Sequence, residues 1–334
     1  MADDIYRNLL VVVCDINPVW WGLQARILQE NQPANLPNEP VVPPLNAFLN
    51  NVLVFCNAHL MMKHTNELAI LGATCTKSQF IYPSNEENDN DSIKNKDGKY
   101  EHFSSMNNIV VKRIREVMKN EINNDGSDVN QNTASLLSGA LSMALCYIKQ
   151  AERDCPRKMF FLSFSYISLN SFAFFVDFCC FLVGQCVKSR LLILKGTKDV
   201  STQYMATMNC IFAAQKNNIV MDSCLLKSDS GFLQQASDIT GGMYLKVEKM
   251  ESLLQYLLWI FLPNPSTRES LNMPRAIEID YRAACFCHRT LVDIGFVCSV
   301  CLSIYCQLIP RCRTCQTRFK LPMATLARPK KRKN

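Results

Sequence analysis

The residues able to do chemistry in this chain crowd together between positions 285 and 315, CFCHRTLVDIGFVCSVCLSIYCQLIPRCRTC. Cys298-Ser-Val-Cys301 and Cys312-Arg-Thr-Cys315 are two CxxC knuckles with ten residues between them. Each knuckle presents two thiolates from a tight turn, and two knuckles complete a tetrahedron around zinc. Cys285, Cys287, His288 and Cys306 remain, and they offer a second zinc site in which Cys287 or His288 ligates. In chain order the ligand pairs alternate, as in a RING-like cross-brace. Closed four-ligand sites leave no open position, so zinc here is structural and not catalytic. A module of about 35 residues buries too little surface to fold alone, and the metal supplies the missing stability.

Elsewhere the sequence offers no catalytic residue. Neither GxGxxG nor GxxxxGK occurs, which argues against a nucleotide-binding enzyme. No GxSxG elbow frames a serine nucleophile. His59 and His64 are expected on helix surfaces, and His102 beside a polar loop.

The totals fit an intracellular protein of one large domain and a smaller module. The chain has 334 residues, 48 % of them apolar and 19 % charged. It opens with MADDIYRN, without the pattern of a secretory signal, so its 17 cysteines are expected in a reducing compartment. The net charge is +7, and Arg328, Lys330, Lys331, Arg332 and Lys333 of the last seven residues account for five of it. The body is therefore near neutral and does not read as a nucleic-acid surface. The tail reads as a nuclear import signal or a phosphate-contacting tail.

What must position the cysteines is a larger body. LLVVVCDI (9 to 16), ELAILGATC (67 to 75), SRLLILKG (189 to 196), NNIVMDSCLL and MYLKV read as strands. Helices are expected over 45 to 64 and in TASLLSGALSMALCYIKQ, where Leu137, Leu141, Ala144, Leu145 and Ile148 share a face. Another is expected in TQYMATMNCIFAAQK, with Met205, Met208, Phe212 and Gln215 in register. GFLQQASDITGG ends in glycines suited to a left-handed cap, and MESLLQYLLWIFLP stops at Pro263. Alternating strands and helices predict an open, doubly wound α/β domain with a mostly parallel sheet over 1–262. A linker (263–279), a zinc module (280–320) and a basic tail (321–334) follow. Residues 31–44 and 84–100 read as loops. Residues 155–187 form an anomalous apolar insertion, with eight of the 18 phenylalanines, or translated non-coding sequence. A membrane span there would split the sheet, so no membrane is expected.

Such a sheet binds ligands beyond the carboxyl ends of its strands, which points to CDINPVWWG after the first strand. Asp15 and Asn17 resemble the metal-ion-dependent adhesion site of von Willebrand A domains, DxSxS. Val19 has no oxygen to offer, and Lys195 stands where an acid is wanted. Thr133 is the candidate threonine. Two ligands hold magnesium poorly, so no Mg2+ is expected, and Asp15 is expected to be satisfied by backbone amides. Trp20 and Trp21 read as packing or interface aromatics.

Taken together, the chain resembles the subunit 3 family of general transcription factor IIH (TFIIH). The resemblance rests on NPVWWG, KDGKY (96 to 100), ALCYI (144 to 148), QYM (203 to 205) and IFAAQKNNI (211 to 219). SDSGFLQQASDITGGMYLKV (228 to 247), SLLQYLLWIFLP (252 to 263), DYRAACFCHRTLVDIGFVCSVCLSIYC (280 to 306) and the basic tail complete it. It departs at 31–44 and at the phenylalanine-rich segment, where the family has a short polar connection. The resemblance implies a von Willebrand A-like domain joined to a zinc module, nuclear and without enzymatic activity. It implies partners among the TFIIH core subunits, above all a second von Willebrand A-bearing subunit, with an indirect link to the XPD helicase. The roles implied are transcription initiation and nucleotide excision repair. Two rival readings are a RING-type ubiquitin ligase using Ile304 or Leu308, and weak DNA contact through Arg311, Arg313, Arg318 and Lys320.

Overall fold

The computed structural model describes residues 7–30, 44–83, 99–123, 134–154, 187–200, 203–274, 279, 281–288, 290–301 and 303–319. The expected loops 31–44 and 84–100, the insertion 155–187, the tail 321–334, Thr133 and Lys320 lie outside these residues, apart from Pro44, Lys99, Tyr100 and Val187. Two compact units are present. One comprises Met1–Asp199 and Met205–Ile279, and the other is built on the chain from Asp280 onward.

The first unit is organised around β1 (Arg7–Asp15), whose RNLLVVVCD is buried from Leu9 onward. An apolar run without alternation fits a strand covered on both faces. β1 lies between β2 (Asn66–Ala73) and β4 (Val187–Lys195), parallel to both. β5 (Val220–Leu226) and β6 (Tyr244–Val247) continue the parallel set, giving the order β3-β2-β1-β4-β5-β6. At the opposite edge β3 (Ser78–Tyr82) runs antiparallel to β2. The five residues of β3 are mostly half-buried and carry no long apolar run, so no local pattern marks the strand.

Helices α1 (Pro18–Glu30), α2 (Pro44–Met62), α3 (Lys99–Asn123), α4 (Leu137–Asp154), α5 (Tyr204–Lys216) and α6 (Gly231–Thr240) cover the sheet. In α1, Asn17 Oδ1 accepts from Val19 N at 3.0 Å and Trp20 N at 3.3 Å, and Pro18 occupies the first turn. Asn-Pro at that place is a helix-start signal that went unread. On α4 the five expected residues are all buried. On α5 the expected register holds only at Met208. Met205 and Phe212 are exposed, while Thr207, Met208, Cys210, Ile211 and Ala214 face the core. The buried stripe mixes Met208 and Ile211 with the small Thr207, Cys210 and Ala214, whose types carry little periodic signal of their own. Gly241 caps α6 at φ 71°, the left-handed geometry expected there.

The next helix, α7 (Leu253–Tyr256), widens into a π turn over Leu257–Phe261. Its final carbonyls are taken up by Arg190 of β4, whose Nη1 donates to Phe261 O at 2.7 Å and Pro263 O at 2.9 Å. A further turn, α8 (Pro265–Arg268), occupies the start of the segment read as a linker, and it returns Arg268 to the sheet interior.

The second unit has little regular structure. β7 (Ala283–Ala284) pairs with β8 (Leu291–Val292), and β9 (Phe296–Val297) pairs with β10 (Ile304–Tyr305), both antiparallel. An isolated antiparallel bridge joins Arg311 and Arg318.

Candidate metal centre

Two places could hold an ion, and the first is closed by its own side chains. Asp15 ends β1 at the carboxyl edge of the sheet and is 2 % exposed. Its Oδ2 accepts from Gly196 N at 3.2 Å, Thr197 N at 2.9 Å and Thr197 Oγ1 at 2.6 Å. Oδ1 accepts from Asn17 N at 3.3 Å. The Thr197 hydroxyl also meets Ser135 Oγ at 2.7 Å. Lys195 turns to Asp199 as an ion pair. The aromatic side chains complete the seal. Trp20 lies over Gly196, so that a Cβ there would fall 2.5 Å from the indole ring. Trp21 donates Nε1–H to Asp15 O at 2.9 Å and packs on Phe48 at 4.9 Å. The carboxylate oxygens thus already accept from fixed amides and a hydroxyl of the chain itself.

His59 lies inside the body, 2 % exposed, and not on a helix surface. Burial, and secondarily the charge of Arg190, lowers its pKa to about 3. Its neutral Nε2 has no hydrogen-bond partner. His64 is exposed in the turn after α2.

The cysteine-rich unit is different. All eight candidate ligands gather into two groups, Cys285, Cys287, His288 and Cys306 in one, and Cys298, Cys301, Cys312 and Cys315 in the other. Within each group the ligand atoms lie within 4.8 Å of one another. Both Cys287 and His288 belong to the first group, with Cys287 Sγ 3.3 Å from His288 Nδ1 and 3.4 Å from Cys306 Sγ. In the second, Cys298 Sγ is 3.6 Å from Cys315 Sγ and Cys301 Sγ is 3.5 Å from Cys312 Sγ. The two groups interleave along the chain as a cross-brace.

Three turns of one design build these groups. In each, a cysteine amide donates to the carbonyl five residues on: Cys285 to Thr290 at 2.8 Å, Cys298 to Ser303 at 2.9 Å, Cys312 to Thr317 at 2.8 Å. The second ligand stands at the fourth position (His288, Cys301, Cys315), and the sixth carries a hydroxyl beside a sulfur. Thr290 Oγ1 is 3.4 Å from Cys285 Sγ, Ser303 Oγ 3.1 Å from Cys301 Sγ and Thr317 Oγ1 3.1 Å from Cys315 Sγ. The repeat C-x-x-[CH]-x-[ST] is visible in the sequence once the hydroxyls are included, and reading cysteines alone missed it. Cys306 has no such turn: Ile309 stands where its second ligand would be, and Cys287 brings the first group to four.

The donors are electrostatically unbalanced without a cation. Burial pushes the Cys285 thiol up, but bonds from the Thr290 hydroxyl and nearby amides outweigh it, and its pKa falls to about 5. At Cys312 burial is likewise outweighed, by the Cys315 amide and the Tyr305 hydroxyl among others, again to about 5. The hydrogen bond to Cys287, and then burial, push the Cys306 thiol up to about 11. Sulfurs this close cannot all ionise unless a divalent ion compensates them, and seven thiols with one imidazole are a soft donor set that suits zinc. The residues fit such an ion.

A parallel α/β body with a closed adhesion-type crevice defines a von Willebrand A-like fold, followed here by a cysteine-rich unit that could hold metal. More particularly, the family profile described as "Transcription factor Tfb4" matches residues 7–316, and the chain belongs to that family. Among relatives, the "General transcription and DNA repair factor IIH subunit tfb4" of Schizosaccharomyces pombe is 35 % identical over 322 residues, covering 95 % of this chain and 91 % of its own. The "General transcription factor IIH subunit 3" of Dictyostelium discoideum is 38 % identical over 288 residues, covering 83 % of this chain and 68 % of its own. The crystal structure of the TFIIH p34 N-terminal domain superposes with a TM-score of 0.54 at 25 % identity, covering 77 % of this chain and 98 % of that one.

Proposed function

We propose that this chain is a non-catalytic subunit of the nuclear TFIIH core, acting in RNA polymerase II transcription initiation and nucleotide excision repair. The observation that carries the reading is the family match across both units, together with a crevice whose ligand groups are already spent on internal bonds. A surface with no vacant chemistry serves docking. The body pairs with the second von Willebrand A-bearing subunit, and through it supports the XPD helicase. DNA contact is weak or indirect.

In the C-terminal unit, two zinc ions are held by Cys285, Cys287, His288 and Cys306 and by Cys298, Cys301, Cys312 and Cys315. Their four-coordinate shells leave no place for substrate, so they fold the unit and do not react. The test is to purify the tagged chain from cells, identify what co-elutes, and measure zinc per chain. The reading requires the TFIIH core, helicase included, and two zincs; a solitary monomer overturns it.

One observation keeps a ligase reading in play: Val300 and Leu308, beside the metal turns, are 63 % and 47 % exposed. Discharge of ubiquitin from a charged conjugating enzyme, abolished by Cys298→Ser, would establish it.

A further inference from the structure

Tyr305 is the one buried aromatic of the C-terminal unit among the described residues, 2 % exposed, and it touches both metal groups. It immediately precedes Cys306 of the first group, and its ring lies 6.5 Å from that of Phe286, within the first turn. Its hydroxyl reaches the other group, 3.2 Å from Cys312 Sγ.

The hydrogen-bond inventory of that hydroxyl is complete. Its oxygen accepts from Arg313 N at 3.1 Å and Thr314 N at 3.2 Å, which uses both lone pairs. One proton remains to give, and two acceptors stand in reach, Cys312 Sγ and, at 3.1 Å, Thr314 Oγ1. Thr314 Oγ1 already accepts from Ser303 Oγ at 2.9 Å. A metal-bound thiolate is charged, and a charged acceptor takes the proton in preference to a neutral one.

We propose that Tyr305 is a positioning residue that registers the two metal groups against each other. Its ring braces the first turn, and its hydroxyl both fastens the third turn through two amides and donates to the Cys312 sulfur. Donors to a ligand sulfur orient the ligand and tune its hold on the metal, and their removal typically costs 10–100-fold in affinity. This assignment rests on the metal reading above. It divides the residue's work into two parts that substitution can separate.

The experiment uses the full-length chain loaded with cobalt(II) in place of zinc. Four-sulfur and three-sulfur, one-nitrogen sites then have distinct charge-transfer spectra, and release of each ion to a chelator can be followed separately. For Tyr305→Phe, which keeps the ring, two ions per chain are expected. Release from the four-cysteine group should be about 10–100-fold faster with a shifted charge-transfer band, and the other group unchanged. Tyr305→Leu, which loses the ring as well, should speed release from both. If Tyr305→Phe leaves band and release rate unchanged, or speeds both groups equally, the assignment is overturned while the metal reading stands. A wild-type chain that binds no metal overturns both.

Discussion

Arg268 closes on Asp222 through two parallel hydrogen bonds, Nη1 to Oδ1 at 2.7 Å and Nη2 to Oδ2 at 2.6 Å. The pair is buried, with side chains 7 % and 1 % exposed, and Asp222 Oδ1 also accepts from Met243 N at 2.9 Å. Arg268 Nε donates to Pro263 O at 3.0 Å. One arginine thus ties the segment after α7 to β5, and the body extends beyond Pro263.

Removing Arg268 leaves a buried carboxylate without its strongest partner. Arg268→Ala should destabilise the body by about 3–5 kcal/mol, the usual result of breaking one side of a buried pair. Urea unfolding of the full chain measures it. A chain ending at residue 262 should show the same loss, and one ending at 274 should not.

The crevice at Asp15 predicts indifference to magnesium. Asp15→Ala removes a charged acceptor of three hydrogen bonds from Gly196 and Thr197 and should cost about 2–4 kcal/mol. Millimolar magnesium should raise the melting temperature of neither wild type nor variant. A magnesium-dependent rise in the wild type would show that the carboxylate can be recruited.

Gly196 and Trp20 test the aromatic seal. A methyl group at 196 would meet ring carbons of Trp20 at 2.5 to 2.7 Å, so Gly196→Ala must push the indole outward. A cost of about 1–3 kcal/mol is expected from overpacking. Red-shifted tryptophan fluorescence should accompany it, and Trp20→Phe in the same chain should abolish the added shift.

His59 makes the body acid-labile. Its folded pKa, lowered to about 3 by burial and then by Arg190, lies below that of the unfolded chain. Protonation therefore favours unfolding: this contribution is full above about pH 6.5 and is lost as pH falls toward 3, by on the order of 5 kcal/mol at most. His59→Leu should flatten that part of the stability curve. Urea midpoints from pH 7 to pH 4 for both proteins would reveal it, and parallel curves would refute it.

Metal removal should act locally. Chelation should melt the unit containing β7 to β10 and leave the body's sheet intact, because the two units have separate cores. Hydrogen exchange read by segment distinguishes this from global unfolding.

The sequence by itself determined the parallel sheet, since uninterrupted apolar strands such as Leu9–Val13 have only a doubly covered sheet to occupy. It also determined the eight candidate ligands, because cysteine and histidine at knuckle spacing announce themselves by type. Val19 and Lys195 likewise made the closed crevice legible. Only the tertiary structure decided which groups meet. It brought Cys287 and His288 to the same group, turned Phe212 outward, and drew His59 and the Arg268–Asp222 pair into the interior. The physical reason is that periodicity and spacing are local, whereas a buried charge or a shared sulfur cluster depends on partners that folding brings from far along the chain, and no local pattern records them.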